Sequence, residues 1–404
     1  MGDIVDRIIM HIDVNNAFLS WTAVSLLEAG FKYDIRDSYA VIGGDEEARH
    51  GIVLAKSMKA KKMGIKTAET LYSARKKCRA LRVYKPDYKM YKQKSNSLFE
   101  YLKTYTPDIE IASIDECYLD YSSVKNLYGD PILFAHQLKD DIYDKLGFTV
   151  NIGIANNKLC AKMASDFLKP NKVHTLFMNE IEEKMYPLFI GDLFGIGKKT
   201  TEKLQKLNIN TIADLAHADP NFLYKYFKNQ ASNMILWAKG IDNSPVISTV
   251  QSPSSISNEI TLDHDVINKE EIYKYLDILS KQVSLRLRKE KKYASVVVVV
   301  LKDVTFRRKQ HQKKITNATN ITKEIFDVAK EILDEMYLDV GIRLIGLRLD
   351  GLKTNVTYQT SLFENVKERS HDEKIDSLID EIQNKYGVNT IQKGVKSDSK
   401  IEFK

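Results

Sequence analysis

Short apolar runs alternate with amphipathic stretches along most of this chain. Ile8 to Ile12 reads as a short buried strand that closes on Asp13. After it, Phe18, Trp21, Val24 and Leu27 recur every three residues, which predicts a helix over Asn15 to Glu28. Asp37 to Ile42 reads as a second strand running into the Gly43-Gly44 turn. A long mixed region follows. In it Tyr91 to Tyr105 is helical, with Leu98, Tyr101 and Leu102 on one side. Glu110 to Ile114 and Glu116 to Asp120 read as short strands around Asp115. Pro131 to Leu146 is a helix, Thr149 to Ala155 a strand, and Asn157 to Leu168 a helix stopped by Pro170. Strands interleaved with helices predict a mixed α/β sheet domain.

The pattern then changes. From about Glu180 to Gly240 the strand signal vanishes, and short helical stretches separated by Gly, Asn and Asp predict a small helical domain. A Ser-, Pro- and Asn-rich stretch from Asn243 reads as a linker. Ser257 to Leu352 reads as strand, helix, strand, strand, helix, strand, a small α+β domain. The remainder is polar apart from one helical stretch, His371 to Tyr386.

Composition narrows the function classes. A chain of 404 residues with 43% apolar and 28% charged residues is ordinary globular material, long enough for two to four domains. The longest apolar run, Ala294 to Leu301, has strand length and is far short of a membrane span. The first residues carry neither a basic stretch nor a long apolar run, so no signal peptide is expected and a cytoplasmic location is. Three scattered cysteines and eight histidines without paired spacing argue against disulfides and structural zinc. A net charge of +7 allows a nucleic-acid partner without demanding one.

The chemistry concentrates on three carboxylates. Asp13 closes a strand, and Asp115 and Glu116 lie between two strand-like segments. Acids at strand ends are good ligands for a hard cation such as Mg²⁺. Neighbouring residues of a strand point to opposite faces, so Asp115 and Glu116 need a local turn or bulge to reach one site.

The words around these acids carry a resemblance. Ile12-Asp13-Val14-Asn15-Asn16-Ala17-Phe18, Ala112 to Asp120, and Gly153 to Asp166 followed by Lys169-Pro170-Asn171 resemble three motifs of the Y-family, translesion DNA polymerases, in order and spacing. The resemblance extends from about residue 8 to 352 and is nearest to the bacterial polymerase IV and polymerase V catalytic-subunit branch. It implies an α/β and α+β multidomain right hand. The palm would be 1–18 and 85–178, the fingers 19–84 and the thumb 179–242. A linker, 243–256, would lead to a little finger at 257–352 and a clamp-binding tail at 353–404. It implies that Asp13, Asp115, Glu116 and the Val14 carbonyl hold two Mg²⁺ ions, with Mn²⁺ as a substitute. Phe18 would be the steric gate against ribonucleotides, and Asn16, Ala17, Lys61 and Lys169 would contact the incoming nucleotide. One departure stands out: the family's fingers tyrosine and arginine are here Met58 and Lys61. Lys61 keeps charge without the bidentate fork, and Met58 has no donor.

DNA-holding features follow. Leu193 to Thr200, with Gly195, Gly197 and Lys198, resembles a helix-hairpin-helix, which grips the DNA backbone without reading sequence. Between Arg286 and Lys314 there are eleven Lys or Arg and two acids, +9 in 29 residues, and Arg307, Arg308 and Lys309 follow Val304-Thr305-Phe306 within it. In the tail, Gln359-Thr360-Ser361-Leu362-Phe363 resembles the bacterial sliding-clamp pentapeptide, with Gln359, Leu362 and Phe363 as the contacts. The expected protein is a monomeric polymerase that binds primer–template DNA, deoxynucleoside triphosphates and the clamp, with no membrane. Two other readings compete: another palm-type nucleotidyl transferase, such as a cyclase, and a non-catalytic or partner-dependent clamp-tethered scaffold.

Overall fold

The structure, a computed structural model, describes residues 7–45, 51–249, 252–336, 340–355, 366–387 and 390–391. Those up to 249 form one compact body and those from 252 a second.

The first body starts with β1 (Ile9–Val14) and α1 (Ala17–Glu28). A small subdomain follows, made of β2 (Ala40–Gly43), β3 (Val53–Lys56), α2 (Met58–Lys62), α3 (Leu71–Lys77) and β4 (Arg82–Tyr84). Its three strands are ordered β3-β2-β4. Val41, Val53, Ala60, Leu71, Ala74 and Leu81 form its core. Most of these elements span three to five residues, too short for a periodic signal, and only β2 was legible in the sequence.

The chain then supplies α4 (Tyr88–Lys103), β5 (Ile109–Ile111), β6 (Glu116–Asp120), α5 (Lys125–Tyr128) and α6 (Pro131–Leu146). The helix α6 starts where expected, because Asp130 accepts from the N–H groups of Ile132 and Leu133 and Pro131 fills the first position. Next come β7 (Val150–Ala155), α7 (Lys158–Ser165) and β8 (Val173–Thr175). The helix α7 stops at Ser165, three residues before the expected Leu168, with Asp166 as its C-cap.

These strands make a five-stranded sheet, ordered β5-β6-β1-β7-β8, with every residue of β1 buried. Period-two alternation sorts β1 by face. Met10, Ile12 and Val14 join Tyr91, Leu98, Leu138 and Ile142 of α4 and α6 in one core. Ile9 joins Ala161 and Ala164 of α7 in a second core. His11 and Asp13 share the Ile9 face. Gly153 on β7 makes the close approach of α7 possible, since a Cβ there would lie 2.0 Å from the Ala161 carbonyl oxygen.

The rest of this body is helical, as expected: α8 (Ile181–Lys184), α9 (Lys198–Lys206), α10 (Ile212–Ala216), α11 (Pro220–Phe227) and α12 (Gln230–Ala238). Gly197 is the N-cap of α9, and Thr211 with Asp214 forms a capping box on α10.

The second body follows the predicted order: β9 (Ile256–Val266), α13 (Lys269–Lys289), β10 (Ala294–Asp303), β11 (Arg308–Thr319), α14 (Thr322–Glu335) and β12 (Ile342–Asp350). Its sheet is ordered β11-β10-β12-β9. Leu276, Leu279 and Val283 of α13, with Ile325 and Leu333 of α14, bury the sheet's inner face. A last helix, α15 (Val366–Tyr386), starts five residues before the expected His371. No described helix is long and apolar enough to cross a membrane.

Candidate active site

The strand β1 carries Asp13 to the edge of a polar pocket, and β6 lies antiparallel beside it with Asp13 and Glu116 directly opposite. Like charges opposite each other in a sheet repel, so this register is unfavourable by itself. Asp115 sits in the bend before β6, and its carbonyl accepts the Val14 N–H at 3.0 Å. That bend is the local turn that the adjacent acids required. Ser113 Oγ donates to the Asp115 carboxylate at 2.6 Å. Burial, followed by the Asp13 and Glu116 charges, nevertheless pushes the Asp115 carboxyl up.

Two lysines compensate the acids. Lys162 on α7 places its ammonium 2.8 Å from Glu116, 3.6 Å from Asp13 and 3.4 Å from Asp166. Lys169 reaches Asp13 at 2.5 Å and Asp166 at 2.8 Å. Burial alone would lower both ammonium groups, but the surrounding carboxylates outweigh it and raise them. The buried His11 ring, 3.7 Å from Glu116, and the Lys162 ammonium hold the Glu116 carboxyl down at about 2. Burial pushes His11 itself down, so the charge that neutralises Glu116 comes from Lys162.

A buried amide network fixes the loop that carries Lys169. Asn151, with no exposure, donates to the carbonyls of Ser165 and Leu168 and accepts from the Lys172 N–H. Asn15 donates to Asn151 and accepts from the Asn171 N–H. A satisfied buried network of this kind rigidifies what it touches.

The donor set suits a hard divalent cation. Asp13, Asp115 and Glu116 lie near enough to feel one another's charge, and Asp13 and Glu116 are compensated by lysine ammonium groups that an ion could displace. Among the described residues, no three His, Cys, Asp or Glu side chains are already gathered around one point.

Next to the acids, Asn16 caps α1 in the left-handed region at φ 52°, which asparagine tolerates. Its side chain donates to the Lys56 carbonyl at 2.7 Å, tying α1 to the small subdomain. Ala17 is buried. Phe18 is half-buried, stacked on Tyr91 at 4.7 Å and 14°, with Tyr88 edge-on at 6.3 Å. Thr22 and the Tyr91 hydroxyl are hydrogen-bonded at 3.0 Å, so the ring behind Phe18 is itself held. Met58 and Lys61 are exposed on α2. Lys56, one of the basic block Lys56, Lys59, Lys61, Lys62 and Lys66 expected to compensate with point charges, bonds Thr67 at 2.7 Å, and its pKa is lowered by burial and by the charge of Lys61.

Residues 12–166 match the impB/mucB/samB family, 179–209 the HHH motif of the IMS family, and 253–362 the impB/mucB/samB family C-terminal domain. DNA polymerase IV of Clostridium acetobutylicum is 44% identical over 97% of this chain and 98% of its own length. The chain belongs to the DNA polymerase IV family. It is a DNA-directed DNA polymerase of the Y-family. The polymerase IV of Acetivibrio thermocellus is 32% identical over 96% of this chain and 97% of its own. A solved Y-family DNA polymerase chimera of Dbh and Dpo4 superimposes with a TM-score of 0.74 at 23% identity, covering 86% of this polymerase and 100% of the chimera. The fold is thus the polymerase right hand, with palm, fingers, helical thumb and α+β little finger. The non-catalytic scaffold and cyclase readings fall away.

Of the residues expected to act together, Asp13, Glu116 and Lys169 are in direct polar contact through the lysines. Lys162, His11, Asn151 and Tyr91 were missed. Lys162 and Asn151 lie within or beside the third motif, and nothing in their spacing distinguished them from a solvated lysine and a strand residue. Gly195, Gly197 and Lys198 lie at the start of α9, and Lys198 is exposed. Arg307, Arg308 and Lys309 are exposed where β10 turns into the edge strand β11. Arg308 pairs with Glu259, which crosses the open sheet face over Gly346. A Cβ at Gly346 would meet the Glu259 side chain at 2.8 Å. Gln359, Leu362 and Phe363 lie outside the described residues.

Proposed function

We propose that this polymerase extends a primer 3′-hydroxyl past damaged template bases by two-metal phosphoryl transfer, centred on Asp13, Asp115 and Glu116. The observation that supports it most is the opposed pair Asp13 and Glu116, kept in register against their mutual repulsion and beside Asp115. Two Mg²⁺ or Mn²⁺ ions held by these carboxylates and the Val14 carbonyl would supply charge neutralisation for the attacking and leaving oxygens. The side chains do the positioning. Lys169, on its Asn151-braced loop, is placed to trade its carboxylate contacts for the triphosphate. Lys61 and Lys56 supply point charges where Met58 has no donor to offer. Asn16 and Ala17 fix the start of α1 beneath the nucleotide.

Phe18 acts as the steric gate. Its ring cannot swing aside because Tyr91 backs it face to face. Phe18→Ala is expected to raise ribonucleotide incorporation roughly a hundredfold, the scale of one steric contact in a packed pocket, with little loss of deoxynucleotide insertion. Competing dATP and ATP in single-nucleotide extension checks this.

We assign 1–18 and 85–178 to the palm, 19–84 to the fingers, 179–242 to the thumb, 243–256 to a linker and 257–352 to the little finger. Gly195, Gly197 and Lys198 would hold the primer–template backbone, and Arg307, Arg308 and Lys309 the duplex phosphates. Glu259 occupies Arg308 when DNA is absent, so Glu259→Gln should free a phosphate contact. The expected result is tighter primer–template binding and a salt slope steeper by about 0.9. Anisotropy titrations across salt concentrations test it; an unchanged slope removes Arg308 from the contacts. In the tail, 353–404, Gln359, Leu362 and Phe363 would bind the sliding clamp. A cytoplasmic monomer is the setting this role implies. Primer extension on intact and abasic templates tests the function as a whole.

A further inference from the structure

The helix α15 lies beyond everything that the polymerase reaction requires, yet it is joined to the little finger by a specific set of contacts. Asp372, Asp376 and Asp380 recur every four residues, so they form one stripe along the helix. Across from them lie Arg288 at the end of α13 and the first residues of α14. The Arg288 guanidinium grips Asp380 with two parallel bonds, at 2.6 and 2.9 Å, and Asp376 with a third at 3.0 Å. It also donates to the Asn320 carbonyl at 2.8 Å. Lys323 faces Asp372 at 3.6 Å, and Arg369 of α15 faces Glu324 at 3.4 Å.

One contact is more than an ion pair. The N-cap position of α14 is Ile321, whose side chain cannot accept a hydrogen bond. The carboxylate of Asp376 accepts the Thr322 N–H at 2.7 Å instead. α15 therefore caps α14 from outside, at a helix end where negative charge is favoured. Arg288, Lys323 and this N–H together make a built anion site, and the Asp stripe is its occupant.

What is missing matters equally. None of the described α15 side chains is buried, and Leu378 is 57% exposed. Ile375, Ile379 and Ile382 are half-buried, so the helix docks through charge together with a narrow apolar strip. Exposed ionic contacts such as Lys323–Asp372 weaken most with salt, and the better-shielded pairs Arg288–Asp376 and Arg288–Asp380 weaken less, whereas apolar packing does not weaken. Once undocked, the helix also loses the tertiary contacts from which most helical stability in proteins comes.

We propose that α15 is a displaceable acidic clasp, the in-chain ligand of the anion site formed by Arg288, Lys323 and the start of α14. Closed, it caps α14 and neutralises Arg288. Open, it unfolds as a unit and exposes the cationic site, while the sheet and its two packed helices stay intact.

Hydrogen exchange of the full-length polymerase, without DNA or clamp, tests the clasp. The salt is raised from about 0.1 to about 1 M, over which the screening length falls from about 10 to about 3 Å. In the wild type, amides of 366–386 should be protected at low salt and lose protection at least tenfold with rising salt, while β10 and β12 keep theirs. Amides at 322–324 should loosen in step with α15, because their cap leaves with it. In Asp376→Asn/Asp380→Asn both segments should exchange fast at every salt concentration. Equal protection of 366–386 and the β10 core at high salt would overturn the proposal. So would an unchanged 322–324 when α15 opens, or an α15 that exchanges freely in the wild type at low salt.

Discussion

Asp13→Asn is expected to reduce nucleotide addition at least a thousandfold while leaving the protein folded. The size follows from what the carboxylate is asked to do. Charge stabilisation at a phosphoryl-transfer centre is worth several kcal/mol, and each ~1.4 kcal/mol is a factor of ten in rate. The small structural cost follows from the register. Asp13 stands opposite Glu116, so the substitution removes a like-charge pair. Lys162 keeps Glu116 and Asp166 as partners, and Lys169 keeps Asp166. The thermal midpoint should therefore move little while extension disappears. Pre-steady-state extension and thermal unfolding of the same preparation check both halves. A large loss of stability with the rate retained per folded molecule would mean that Asp13 is a structural acid.

Gly153→Ala is expected to have the largest effect on stability. The added methyl would lie 2.0 Å from the Ala161 carbonyl oxygen and 2.4 Å from the Ser165 nitrogen, both backbone atoms of α7. No rotamer change relieves such a contact, so α7 must move off the sheet. Overpacking of a core commonly costs about 1–3 kcal/mol, and a clash with backbone on both sides belongs at or above the top of that range. Because Lys162 projects from α7, the same shift also spoils the compensation of Asp13 and Glu116. Denaturant unfolding of the variant should show a midpoint far below wild type, and the folded fraction should extend primers poorly. Wild-type stability and activity together would refute the close packing described for β7 and α7.

Much of this architecture was legible because it is written in apolar periodicity. β1 was found as a run that ends on an acid, and the six elements of the little finger appeared in the right order. The fingers subdomain was not, since β3, α2 and β4 are three to five residues long, and α2 buries only Ala60 while no residue of β4 is fully buried. The acids of the site were legible through their motifs, but the side chains that hold them were not. Lys162 looks like any helix lysine until β1 and β6 are placed beside α7. Charge counting misled in the same way. Arg288, Arg308 and Lys313 belong to the basic window, yet Asp376 and Asp380, Glu259, and Glu331 already occupy them. The stripe on α15 was given no role from the sequence, because nothing within that helix reveals Arg288 on another.

The most direct test is primer extension on matched intact and abasic templates with Mg²⁺, comparing wild type with Asp115→Ala. The account predicts extension of both templates by the wild type and of neither by the variant, with both proteins binding primer–template equally well. Extension by Asp115→Ala at the wild-type rate, or no extension by the wild type even with the sliding clamp present, would contradict it.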